Sequence, residues 1–277
     1  MQVRYLPNDV GYERMNTKEL RDAFVLEHLF EPGQVMLVYS DIDRAIVGGA
    51  IPLAAALPLL ATQKEMAAQY FNERRELGVF NIGDAGMVRV DGAEYPLGFK
   101  DLLYVGRGAK SIEMSSRNAA APAMFYLVSF PAHTSYPTSL MPRSAAEGTP
   151  LGSAGAANKR TIYKYVHAGG IKSCQLVMGM TQLEEGSVWN TMPPHTHQRR
   201  SEIYLYFGLD TDAMVVHLMG KPDETRNLVL RDRQAVISPP WSIHAAAGTR
   251  NYTFIWAMGG ENQEFSDMDA VTMLDLL

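Results

Sequence analysis

Hydrophobic positions along this chain gather in short runs bounded by Gly- and Pro-bearing turns, the pattern of strands rather than helices. Val35-Met36-Leu37-Val38-Tyr39, Gly86-Met87-Val88-Arg89-Val90 and Leu102-Leu103-Tyr104-Val105 are three such runs, rich in β-branched and aromatic residues. Asp91-Gly92 stands between Val90 and Glu94-Tyr95 and predicts a tight hairpin. A 3.6-residue period occurs once with good punctuation. Asn16 followed by Glu19 has the form of a capping box, and Leu20, Phe24 and Val25 would line one face of a helix that ends before Pro32. Many short strands separated by Gly- and Pro-bearing turns predict a mainly β protein of sandwich or barrel type with few short helices.

The pattern also repeats. Arg74-Arg75-Glu76-Leu77-Gly78-Val79-Phe80 lines up with Arg199-Arg200-Ser201-Glu202-Ile203-Tyr204-Leu205, and each copy is followed by a valine-bearing strand. Met124-Phe125-Tyr126-Leu127-Val128 similarly matches Thr253-Phe254-Ile255-Trp256-Ala257. A duplication of two similar β-domains explains this economically. Residues 142–158, rich in Ala, Gly, Ser and Pro, read as a linker between an N-terminal domain at 1–141 and a C-terminal domain at 159–277.

Length and composition narrow the function classes. A chain of 277 residues with 47% hydrophobic and 20% charged residues is ordinary for a globular protein with one large or two smaller cores. A net charge of −5 without a Lys/Arg run argues against a nucleic-acid or anionic-membrane surface. The apolar stretch 45–61 is interrupted by Gly48, Gly49, Pro52 and Pro58 and is too short to span a bilayer. Met1 to Tyr5 leads into polar residues, so no secretory signal is expected there. The single cysteine, Cys174, sits in an apolar run where core packing is expected, and it fits a reducing compartment. A cytoplasmic protein is the expectation.

The chemistry concentrates in the second half. His195 and His197 are spaced i, i+2, which puts both on one face of an extended strand. Glu202 follows at the head of an apolar run, and His244 stands behind Pro239-Pro240. Three imidazoles and a carboxylate are a ligand set for a borderline divalent metal. The first copy of the repeat has no His-x-His, so only the second domain is expected to carry a metal. Unrelated polar residues in turns are the bland alternative. Glu185, Glu261 and Tyr206 are candidates for proton transfer, and Arg160 and Lys164 for binding an anionic substrate group. His217 reads as a core histidine satisfied by hydrogen bonds.

The Pro-His-x-His…Glu cluster and the later Pro-x-x-x-x-His resemble the two metal motifs of cupins, with Trp241 where the usual glycine precedes the last His. Longer segments resemble the 5-keto-4-deoxyuronate isomerases (4-deoxy-L-threo-5-hexosulose-uronate ketol-isomerases) of pectin and uronate breakdown. They include residues 39–44, 73–78, 133–138, 174–181, 187–193, 224–226, 234–239, 251–256 and 260–263. The likeness spans nearly the whole chain and is densest from 160 to 269. It implies a bicupin of two antiparallel β-barrels and a homohexamer. It also implies one zinc per chain on His195, His197, Glu202 and His244, and an aldose–ketose isomerase acting on a small uronate. Other readings of the same ligands are an iron-dependent cupin dioxygenase and a non-enzymatic sugar-binding cupin.

Overall fold

A computed structural model describes all 277 residues. The chain is almost entirely β, and the expected helix is its longest, Thr17–Phe24, buried through Leu20 and Phe24. Its capping box forms as the sequence requires: the Asn16 N–H donates to Glu19 Oε2 at 2.7 Å, and the Glu19 N–H to Asn16 Oδ1 at 3.1 Å. The Asp91-Gly92 hairpin joins Gly86–Val90 to Ala93–Leu97. Both turn residues have positive φ, 48° and 86°, as a twisted two-residue hairpin turn demands.

The chain divides into two compact units. One contains Met1–Arg4, His28–Glu147 and Tyr165–Val177; the other contains Tyr5–Glu27, Gly148–Lys164 and Met178–Leu277. Within the segment expected as a linker, Gly148–Leu151 is a strand paired antiparallel with Arg160–Val166.

Each unit has a seven-stranded and a four-stranded sheet, and the strand orders repeat. In the first unit Ile46–Ala50, Phe125–Pro131, Arg75–Asn81 and Leu102–Val105 lie side by side; in the second, Val177–Leu183, Thr253–Gly260, Arg200–Phe207 and Gln234–Ser238 do. The smaller sheets run Leu57–Pro58, Ile112–Ser116, Gly86–Val90, Ala93–Leu97 and Trp189–Asn190, Ala245–Gly248, Val215–Lys221, Glu224–Leu230. The duplication read from residues 74–83 and 199–208 is therefore a duplication of topology. Each unit is a pair of open sheets of jelly-roll type rather than a closed barrel.

In the first unit the two sheets close on apolar side chains. Leu77, Val79 and Leu127 from the larger sheet meet Val88, Ile112 and Met114 from the smaller. Leu77 and Glu202 are each the third residue of corresponding strands, flanked by corresponding neighbours. One unit thus puts a leucine into its interior where the other puts a carboxylate.

The first unit spends its own buried carboxylate on the backbone. Glu76, on the opposite strand face, accepts the N–H groups of Cys174, Gln175 and Leu176 at 2.7, 2.7 and 2.8 Å and the Tyr104 hydroxyl at 2.7 Å. Cys174 is therefore only partly buried and lies before the strand Val177–Leu183 rather than in an apolar core, with its Sγ 3.3 Å from the Thr134 carbonyl oxygen.

Candidate metal centre

His195, His197, Glu202 and His244 converge in the second unit, with one ligand atom of each lying within 4.8 Å of the others. Three different local structures deliver them. His195 opens the two-residue strand His195–Thr196, paired with Asp269–Ala270, and His197 lies in the turn that follows. The regular strand expected around this pair is cut short because Pro193 and Pro194 supply no N–H to a ladder. Glu202 comes from the long strand Arg200–Phe207, and His244 from the turn after Pro239-Pro240, directly before Ala245–Gly248.

The four groups form a tight, mostly buried set. Glu202 Oε2 is 3.0 Å from His197 Nε2 and 2.9 Å from His244 Nε2, and His244 Nε2 is 3.0 Å from His195 Nε2. Outer contacts fix two of the rings. His197 Nδ1 lies 3.1 Å from the Arg200 carbonyl, which can only accept, so Nδ1 carries a proton and Nε2 is turned to the cluster. His244 Nδ1 lies 3.3 Å from Ser238 Oγ. Burial, then the neighbouring His244, pushes the His195 pKa down to about 3. Burial acts to raise the Glu202 pKa, but the charge of His244 and the hydrogen bonds from His197 and His244 outweigh it, holding the carboxyl well below its usual range. This cluster can hold a metal ion, and no comparable group of ligands forms in the first unit.

The cluster borders a cavity of about 320 Å³ whose wall includes His195, Glu202, Tyr204, Arg160, Phe254 and Trp256. Tyr204 shares the inward face of its strand with Glu202, and its hydroxyl is 3.3 Å from Thr191 Oγ1. Trp256 is fixed by its Nε1–H, which donates to Thr181 Oγ1 at 3.1 Å. Gly179 makes that placement possible, since a Cβ there would lie 2.3 Å from the indole. Arg160 brings a guanidinium to a largely apolar wall that Arg200 also lines, and burial lowers the Arg160 pKa.

The other candidates are dispersed. Lys164 stacks over Phe265, a further wall residue, with Nζ 4.0 Å from the ring centre. Tyr206 is fully buried beyond Tyr204 and does not line the cavity; its hydroxyl contacts His217 Nδ1 at 2.8 Å. His217 is thus satisfied at one ring nitrogen, while its buried Nε2 has no partner. Glu261 is exposed, and Glu185 is exposed beside a separate surface cleft with Asp210 and Arg250. Sequence reasoning missed Tyr204, Trp256, Thr181 and Arg200. The signal for Tyr204 was available: it stands i+2 from Glu202 and must share its face.

Two similar sheet pairs, one filled and one opening a His3Glu cluster onto a cavity, define a cupin-type protein with a single candidate metal centre. The chain belongs to the KduI/IolB family, which it matches over residues 27–273, and it is an enzyme of the ketol-isomerase class. It is 53% identical over 277 residues, the whole of both chains, to the 4-deoxy-L-threo-5-hexosulose-uronate ketol-isomerase of Opitutus terrae. The enzymes of that name from Caldicellulosiruptor bescii and Escherichia coli are 51% and 48% identical, again over the full length of both chains. Among solved structures, an IolB-like protein from Salmonella typhimurium superposes with a TM-score of 0.70 at 10% identity, covering 90% of this chain and 96% of its own. Lactobacillus farciminis oxalate decarboxylase gives 0.57 at 8% identity, covering 83% and 79%. These two likenesses concern the fold alone. No helix is long and apolar enough to cross a membrane.

Proposed function

We propose that this enzyme interconverts 4-deoxy-L-threo-5-hexosulose uronate and 3-deoxy-D-glycero-2,5-hexodiulosonate, using one zinc held by His195, His197, Glu202 and His244. The observation that carries the reading is the cluster itself. His195 Nε2 and His244 Nε2 face each other at 3.0 Å, close enough to share a proton or, with both nitrogens unprotonated, to turn their lone pairs on one cation. Three imidazole nitrogens and one carboxylate oxygen suit zinc, and the outer contacts of His197 and His244 are those that orient metal-binding imidazoles. Bound there, zinc would supply Lewis-acid polarisation of the substrate carbonyl and stabilise the developing oxyanion.

The rest is work for the chain's own residues. Arg160 is the cavity's match for the uronate carboxylate, to which a guanidinium can give two parallel hydrogen bonds. Phe254 and Trp256 hold the carbon chain and keep bulk water from the reacting carbons. The reaction removes a proton from the carbon beside the aldehyde and returns one to the neighbouring carbon. Tyr204 and Thr191 are the hydroxyls on the cavity wall able to hold or donate a proton at substrate oxygens. Of the candidates read from sequence, Tyr206 could act only through its neighbours, Glu185 and Glu261 only by moving in from the surface, and Lys164 by supporting Phe265 at the rim.

In this reading the first unit, with its filled interior, carries no metal and serves stability and assembly. The family resemblance supports a cytoplasmic homohexamer. Product analysis by NMR, with purified protein and the uronate in the absence of nicotinamide, nucleotide and oxygen, tests the reaction. Appearance of the 2,5-diketo isomer is expected, and unchanged substrate would sink the reading.

A further inference from the structure

Arg200 is among the largest fully buried side chains of the protein, and its partners are uncharged. Its Nη1 donates to the Glu264 carbonyl at 2.6 Å, and its Nη2 to the carbonyls of Phe265 and Asp267 at 3.3 and 3.0 Å. Desolvating a guanidinium to hold three neutral carbonyls is an expensive way to fix an ordinary surface turn. This segment is not ordinary, because Phe265 and Met268 both line the cavity. The Phe265 ring packs 5.1 Å from Trp256 on the cavity wall. Arg199 holds the same segment from outside, through the carboxylates of Asp267 and Asp269 at 2.5 and 2.9 Å.

The position of Arg200 in the chain matters equally. It opens the strand that carries Glu202, shares a strand face with it, and its own carbonyl is the one facing His197 Nδ1. Its side chain lines the cavity, and its Nε–H is buried without a protein partner. One residue thereby ties the cover of the cavity to the strand and turn that supply two of the ligands. A lysine could not reproduce this, since one ammonium cannot present a planar fork to three carbonyls.

We propose that Arg200 is a positioning residue of the isomerase site, holding the 264–268 segment over the cavity so that Phe265 and Met268 confine the open-chain uronate and determine specificity for it. This rests on the isomerase reading above. The segment is a fixed wall of the site, and Arg200 sets its height above the metal cluster. Substrate affinity therefore depends on a side chain that ligates no metal and need not touch the reacting carbons.

The test compares metal-loaded wild type with Arg200→Lys, Phe265→Ala and Phe265→Tyr. Arg200→Lys should keep the wild-type metal content, exchange the amides of 264–268 roughly tenfold faster, and raise KM about tenfold with a smaller change in kcat. Phe265→Ala should raise KM similarly with metal retained, and Phe265→Tyr should restore it. Metal loss in Arg200→Lys would make the residue part of the metal site's scaffold and overturn the proposal. So would wild-type exchange in that variant, or a wild-type KM in either Arg200→Lys or Phe265→Ala. Should Arg200→Lys fail to fold, the KM of Phe265→Ala against Phe265→Tyr decides. Wild-type protein that leaves the uronate unchanged sinks the isomerase reading instead, whatever the amide exchange shows.

Discussion

His195 Nε2 and His244 Nε2 face each other at 3.0 Å, with the Glu202 carboxylate 2.9 Å from the second of them. A neutral imidazole carries one N–H and one lone pair, so a proton on one of these nitrogens can be shared with the other, and a bound metal would instead draw a lone pair from each. It would do the same for His197 and Glu202.

Elemental analysis should accordingly find close to one zinc per chain. His195→Ala combined with His244→Ala should abolish retention, because two ligands cannot hold the ion against dialysis. Metal kept near stoichiometry in that double variant would place it elsewhere.

Glu202→Gln should weaken metal binding and turnover together. The amide keeps the shape but removes the charge that offsets the cation in a buried site. Parallel measurement of zinc affinity and kcat checks this, and a loss of turnover at unchanged zinc affinity would give Glu202 a different role.

Arg160→Ala should raise KM on the order of a hundredfold, the scale of losing a charge-assisted bidentate contact, and lower kcat less. Steady-state kinetics on the uronate decide it. An unchanged KM would move the carboxylate site away from Arg160.

Much of this site was legible in the sequence, for reasons that also mark where reading stops. His195 and His197 at i, i+2 declared an extended backbone, although the proline pair before them shrank the expected strand to two residues. Glu202 followed from its place at the head of an apolar run. The equivalence of Leu77 and Glu202 was implicit in the repeat, and strand order bears out the duplication. The surroundings were not legible. Glu261 and Glu185 are candidate acid/base groups by residue type, yet exposure depends on turns whose course no period encodes. Nothing in the sequence separates Arg199 from Arg200, and only the fold shows that Arg199 points to carboxylates while Arg200 is buried.

Glu76 offers a test confined to the first unit. Removing its carboxylate in Glu76→Ala strands three buried or half-buried N–H groups and the Tyr104 hydroxyl. The expected loss is on the order of 3–5 kcal/mol of unfolding free energy, read from urea melts. A loss under about 1 kcal/mol would show that water replaces these bonds at little cost.

Hydrogen exchange during turnover distinguishes the routes between the two carbonyl positions. Transfer through an enediolate should bring solvent deuterium into the carbon-bound position of the product, seen by NMR. Complete retention of the original hydrogen would indicate a hydride shift and remove the need for any acid/base group on the cavity wall.

The most direct measurement is isomerisation of 4-deoxy-L-threo-5-hexosulose uronate by chelator-stripped protein as zinc is returned. Activity should be absent in the stripped protein, rise in proportion to bound zinc, and saturate at one zinc per chain. Undiminished turnover by the metal-free protein, or none by the fully loaded one, would contradict the account.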